Sequence, residues 1–259
     1  MTRRIPFALA VPLALVVAAC SSGSAQPAPI PPTSQPRASL PADDTGAPGT
    51  TTTTATTTTT SAPTTSTVVP GGAAVLSPDG PWKLVDSAPG VTSPGLVYEL
   101  MPKLWVFLPT EESADDGNLF VPAPEDIPII EAYLQARLVY FRAITSDPID
   151  LADPGWAQFY ADGGQSYFDV LVPRREQGQV ADLDAGVVLR PRVLGEGRTA
   201  TEAIIFDCML DGAVWKLPTG SLGPGSTPGV VANGLSSQLT INGQGWIAST
   251  VSTQSEACT

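Results

Sequence analysis

A polar tract, rather than any apolar run, sets the first limit on what this chain can fold into. From Ser21 to about Gly72 the sequence is dominated by Pro, Ser, Ala and Thr, with Thr50 to Thr54 and Thr56 to Thr60 interrupted only by Ala55. Such a stretch has too little apolar surface to offset the entropy of ordering it. Residues 20–72 therefore read as a disordered tether, stiffened by the extended preference of its prolines. Its many hydroxyls suit an O-glycosylated stalk and an unmodified spacer equally well. About 185 residues remain for folding, the size of one ordinary domain.

Before the tether, residues 1–19 open with Arg3 and Arg4, continue through an apolar stretch from Ile5 to Val17 and end in small residues. That order is an export signal, too short to span a membrane comfortably. Val17, Ala18, Ala19 and Cys20 resemble the lipobox of bacterial lipoproteins. The resemblance implies cleavage before Cys20 and diacylglycerylation of its thiol. Two acyl chains suffice for stable anchoring, so the expected address is the extracytoplasmic face of a bacterial cell membrane.

Charge and composition remove several functional classes. With 25 acidic against 13 basic side chains the net charge is -12, and a nucleic-acid partner, which needs cationic neutralisation of phosphates, is not expected. Histidine is absent. That excludes any Ser-His-Asp or Cys-His mechanism and takes away the commonest general base and metal ligand. No lysine-assisted serine signature or nucleophile elbow is present either. Glu111, Glu112, Asp115, Asp116 and Asn118 form an acidic cluster, but without the spacing of a calcium loop they read as a solvated surface. Neither a metal nor a cofactor is implied.

The remaining chain divides into an extended part and a helical-then-stranded part. Residues 73–123 mix prolines with apolar residues in no clear period, with Trp82, Trp105 and Phe107 as core anchors, and read as extended segments packed on the domain that follows. In residues 124–259, Ile127, Ile130, Leu134, Leu138, Phe141 and Ile144 recur at steps of three and four, the stripe of a long helix. Tyr133, Arg137 and Tyr140 run along the edge of that stripe. Asp153 and Pro154 begin a short helix carrying Trp156, Phe159 and Tyr160. A third helix spans Gln165 to about Arg175, turning Tyr167, Phe168, Leu171 and Val172 inward, its length limited by Pro173 followed by Gly178. Apolar runs at 187–194, 199–209, 213–217, 230–241 and 246–252, separated by glycine turns, read as antiparallel strands joined by hairpins. The fold class is α+β.

Export leaves two cysteines besides Cys20, and Cys208 and Cys258 are expected to pair in an oxidising compartment. The order of elements, with Phe206-Asp207-Cys208 in one strand and Gly245-Trp246 in the last, resembles NTF2-like cone domains of secreted lipoproteins from high-GC Gram-positive bacteria. The resemblance implies N-terminal helices packed in a curved, mostly antiparallel sheet, with a pocket inside. Tyr133, Arg137, Tyr140 and Trp156 are the candidate ligand-binding residues. Dehydratases of that family use a His-Asp pair that this chain cannot make. An epoxide-hydrolase-like mechanism would draw on Asp169, Asp207 and Arg137. Three readings follow: a non-enzymatic lipoprotein binding an apolar small molecule or an envelope protein, a carboxylate-dependent hydrolase or isomerase, and a domain acting through its surface as a homodimer.

Overall fold

The computed structural model describes residues 75–116, 120–253 and 258. The export signal, Cys20, the tether and Asn118 lie outside them. The elements are β1 (Lys83–Val85), β2 (Gly95–Met101), β3 (Leu104–Pro109), α1 (Ile127–Thr145), α2 (Gly155–Phe159), α3 (Gln165–Glu176), β4 (Val180–Asp182), β5 (Val187–Leu189), β6 (Pro191–Val193), β7 (Glu202–Asp211), β8 (Val214–Lys216), β9 (Val231–Asn242) and β10 (Gly245–Thr253). The fold is mixed α+β. Its main sheet runs β1-β2-β3-β5-β7-β9-β10, with β6 also paired to β7. Every neighbour is antiparallel except β3 and β5.

Helix α1 organises the core. All six residues of its expected stripe are buried, but so are Ile129, Ala136, Val139 and Ala143, and in total 12 of its 19 residues are out of solvent. A helix apolar on so much of its circumference needs cover on more than one side. Here α2 and strands β4, β6, β7, β9 and β10 supply it. Asp126 at its start takes an ion pair from Arg198 at 2.6 Å, which ties that end to the turn after β6.

The extended stretch before α1 is part of the same sheet. Alternation in β3 sends Leu104, Val106 and Leu108 into the core with α1, and Phe107 into a smaller cluster with Ala88, Val97 and Val188 on the opposite face. Trp82 and Trp105 are only partly buried beside these clusters. Ser77 donates its N–H to Glu131 of α1, and Trp82 Nε1 donates to Ser77 O at 2.7 Å. These bonds fasten the first described residues to the helix.

Two expectations need correction. Strand β8 does not form a hairpin with β7; it pairs antiparallel with β4 in a separate two-stranded sheet, the chain leaving the β7 ladder at Gly212 and Ala213, just past Asp211, its last paired residue. Val172 points outward with 39% of its surface exposed, whereas Tyr167, Phe168 and Leu171 do pack inward. The third helix ends at Glu176, within a residue of its expected end, and carries Pro173 in its last turn. Proline blocks the bond to the preceding turn but can still accept one, and Gln177 N donates to Pro173 O at 3.2 Å.

Cys208 of β7 and Cys258 form a disulfide across 50 residues, with Cα atoms 5.5 Å apart. A loop of that length is worth on the order of 4 kcal/mol in the chain-entropy account. Replacing both cysteines with serine is expected to lower unfolding free energy by about 2–4 kcal/mol, read by denaturant titration. Hydrogen exchange should quicken first in β10, and unchanged stability would show that the tail adds no constraint.

Candidate functional site

Strict alternation along β7 turns Ala203, Ile205, Asp207 and Met209 toward α1 and Cys208 away from it. Asp207 is thus a carboxyl on an otherwise apolar row, with no exposed surface. A buried carboxylate must have its acceptor positions filled. Tyr133 OH donates to Asp207 Oδ2 at 2.7 Å and Arg190 N donates to Oδ1 at 2.6 Å. The second bond explains why one expected strand at 187–194 appears as β5 and β6. Both pair with β7 in one unbroken register, and the interruption falls at Arg190, whose N–H serves the carboxyl instead of the ladder. Arg190 Nε donates to Cys208 O.

Next to this tie lies Arg137, with only 3% of its surface exposed. Its Nη1 donates to Tyr167 OH at a long 3.4 Å, its Nη2 approaches Met209 Sδ at 3.9 Å, and its Nε has no partner. The rings of Tyr140 and Phe141 stand 4.7 and 4.8 Å from Cζ. Among the described residues Arg137 has no ion pair. Burial pushes the Tyr140 hydroxyl up to about 12 and raises those of Tyr133, Tyr160 and Tyr167 as well, so the phenols around the guanidinium stay neutral.

A cavity of about 520 Å³ opens beside Arg137. Arg137, Tyr140, Phe141 and Ile144 of α1 form one wall, Tyr167 and Leu171 of α3 a second, and Met209, Asn233, Leu235 and Val251 of the sheet a third. Asp211 and Trp215 also contribute. The buried floor of Arg137, Phe141 and Leu171 gives way outward to exposed Val170, Ser166 and Ser252. Asp211 is held by bonds from Ala213 N at 3.0 Å and Asn233 Nδ2 at 3.2 Å.

No family model and no curated protein sequence matches the chain. Among solved structures, the crystal structure of the intermembrane space region of chloroplast protein ARC6 aligns with 12% identity and a TM-score of 0.37, over 48% of this chain and 92% of that one. The likeness bears on neither a ligand nor a reaction.

Two of the four candidate ligand residues, Arg137 and Tyr140, face the cavity. Tyr133, which was placed at the edge of the helix stripe, is fully buried and spends its hydroxyl on Asp207. Trp156 stands one layer back, its Nε1 donating to Asp150 O at 3.1 Å and its ring packed on Tyr160, Tyr167 and Phe168. Gly164, at φ +86°, leaves room for that ring: a Cβ there would stand 2.4 Å from it. Asp169 is exposed, so it does not join Asp207 and Arg137 in a catalytic trio. Met209, Asp211, Asn233 and Trp215 were not singled out, although period-two alternation through Asp207 places Met209 and Asp211 on its face. Among the described residues no cluster has metal-ligand geometry.

Tyr133→Phe is expected to destabilise the fold by about 1–3 kcal/mol at neutral pH, because it strips a buried carboxylate of one donor. Burial raises the Asp207 carboxyl above its usual range, while the Tyr133 and Arg190 bonds and the nearby guanidinium charges oppose that shift. A carboxyl raised by folding is best tolerated protonated. The wild-type cost of ionising Asp207 is therefore absent below the unfolded-state value of about 3.9 and grows as pH rises through the folded one. The variant loses a bond that favours the charged form, so its penalty should shrink as pH falls through that window. A penalty independent of pH, in urea melts from acid to neutral conditions, would contradict the assignment.

Proposed function

We propose that this chain is a membrane-anchored extracytoplasmic lipoprotein whose α+β domain is an NTF2-like cone that binds a small molecule without transforming it. The cavity of about 520 Å³ carries this reading: its volume lies within the range of small-molecule pockets, and most of the residues that line it are apolar or aromatic. The wrapping of the sheet around α1 supports the cone. Two features favour binding over hydrolysis or isomerisation. The fully buried carboxyl, Asp207, has both oxygens occupied and does not line the cavity, and Asp169 faces solvent. The space itself favours a ligand over a domain acting only through its surface.

Nile red, a neutral apolar fluorophore, tests the pocket. It should bind the oxidised chain, and Ser252→Trp at the exposed mouth should weaken binding by about tenfold while leaving the melting temperature unchanged. Equal binding by both proteins would place the dye elsewhere and remove the support for a pocket function.

The address rests on Cys20, and no helix among the described residues is long and apolar enough to cross a membrane. Cys20→Ser should shift the protein from the membrane pellet to the soluble fraction of a bacterial expression host. Mass spectrometry of the wild-type N-terminus should find a diacylglyceryl cysteine. An unmodified thiol there would overturn the anchor.

A further inference from the structure

Among the described residues, Arg137 is a cation without an ion-paired anion. Its five N–H donors meet one long bond to Tyr167 OH and one weak contact to Met209 Sδ, and Nε meets nothing. Asp207, the buried carboxylate on the facing strand, is committed to Tyr133 and Arg190 N and forms no ion pair with it. The rings of Tyr140 and Phe141 offer their faces to the charge, which is no substitute for a counter-ion. Desolvating a guanidinium without a hydrogen-bonded counter-charge is unfavourable, so the position makes little sense as packing alone. It makes sense if the missing acceptors arrive from the cavity that Arg137 lines.

Resting on the binding function proposed above, we infer that the ligand is an apolar molecule bearing a single carboxylate, with the carboxylate on the N–H edge of Arg137 and the apolar body along Ile144, Leu171 and Leu235. A guanidinium holds a carboxylate through paired N–H bonds, which no neutral head group reproduces. One head group is enough. Among the described residues Arg137 is the sole cation on the cavity wall, and Asp211, held in place farther along β7, sets a negative charge against a second anionic group. The acidic chain disfavours polyanions in the same direction. A second cation stands near: Arg174 covers the outer part of Trp215 at 4.2 Å from its ring and donates to Gln179 Oε1 at 2.8 Å. It does not line the cavity.

The test is calorimetric titration of the oxidised chain from Ser21 to Thr259 with decanoate and with decanol, which share an apolar body and differ in charge. Decanoate should bind at least about tenfold more tightly. Arg137→Met should remove the preference and bring the two to equal affinity, and Arg137→Lys, which keeps the charge but loses the fork, should fall between. Arg174→Gln should keep the wild-type preference. Equal affinities in the wild type would overturn the carboxylate inference and leave the binding function standing, and this comparison needs no variant to fold. Loss of the preference in Arg174→Gln would move the anion away from Arg137 and overturn the assignment. Failure of both probes, with Nile red also unbound, would overturn the pocket function itself.

Discussion

The interaction on which the rest of the structure depends is the burial of α1. A helix that hides 12 of its 19 residues cannot rest on one flat surface. It needs the sheet to come round it, and β10, β9, β7, β6 and β4 all reach it. Wrapping of this kind uses the length of β7 and β9, the two longest strands, whose inward rows of Ala203, Ile205, Leu235 and Leu239 meet the helix. Toward its C-terminal end the helix presents Arg137, Tyr140, Phe141 and Ile144 to a gap before the strands. Helix α3 covers that end from the side. The space left between these walls is the cavity, so the candidate site is a consequence of how one helix is enclosed.

Polar groups inside this enclosure are handled in two ways. Asp207 is satisfied completely and acts as a strut, joining α1 through Tyr133 and the β5–β6 break through Arg190 N. Arg137, one turn along from Tyr133, is left with weak partners on every side. The contrast between neighbours in the same core is informative. A fold that can satisfy a buried carboxyl to this degree is not short of means to satisfy a guanidinium. Tyr160, packed in the same aromatic group, likewise finds a partner for its hydroxyl in Ala136 O at 2.7 Å.

Much of the architecture was legible in the sequence, because α1, α2, α3 and the long strands β7, β9 and β10 carry their own periodicity and turn residues. Legibility failed where the deciding partner is remote in sequence. Nothing local in 187–194 shows that Arg190 N will turn to a carboxyl on another strand. Nothing in 213–217 shows that its strand will prefer β4, a three-residue segment with almost no pattern of its own. The prolines of 81–122 obscured three strands, since alternation there is broken by turns rather than absent. For the site, helical spacing grouped Tyr133, Arg137 and Tyr140 correctly on one line but placed it at an edge. On a helix buried from several sides such a line is interior, and each residue along it meets a different environment.

The disulfide belongs to the same logic as the cavity. On β7, Met209 faces the cavity and its neighbour Cys208 faces the other way, so the bond to Cys258 lies behind the wall and not inside it. The opposite part of that wall is the end of β10, where Val251, Ser252 and Thr253 complete the rim. An edge strand is paired on one side only and is the part of a sheet most prone to fray. Cys258, five residues past Thr253, is tied back to β7, the strand two places away with β9 between. A cavity cannot stabilise its own wall by packing, because the atoms that would supply the contacts are missing. Covalent support at this position compensates for that deficit at the place where the sheet is weakest.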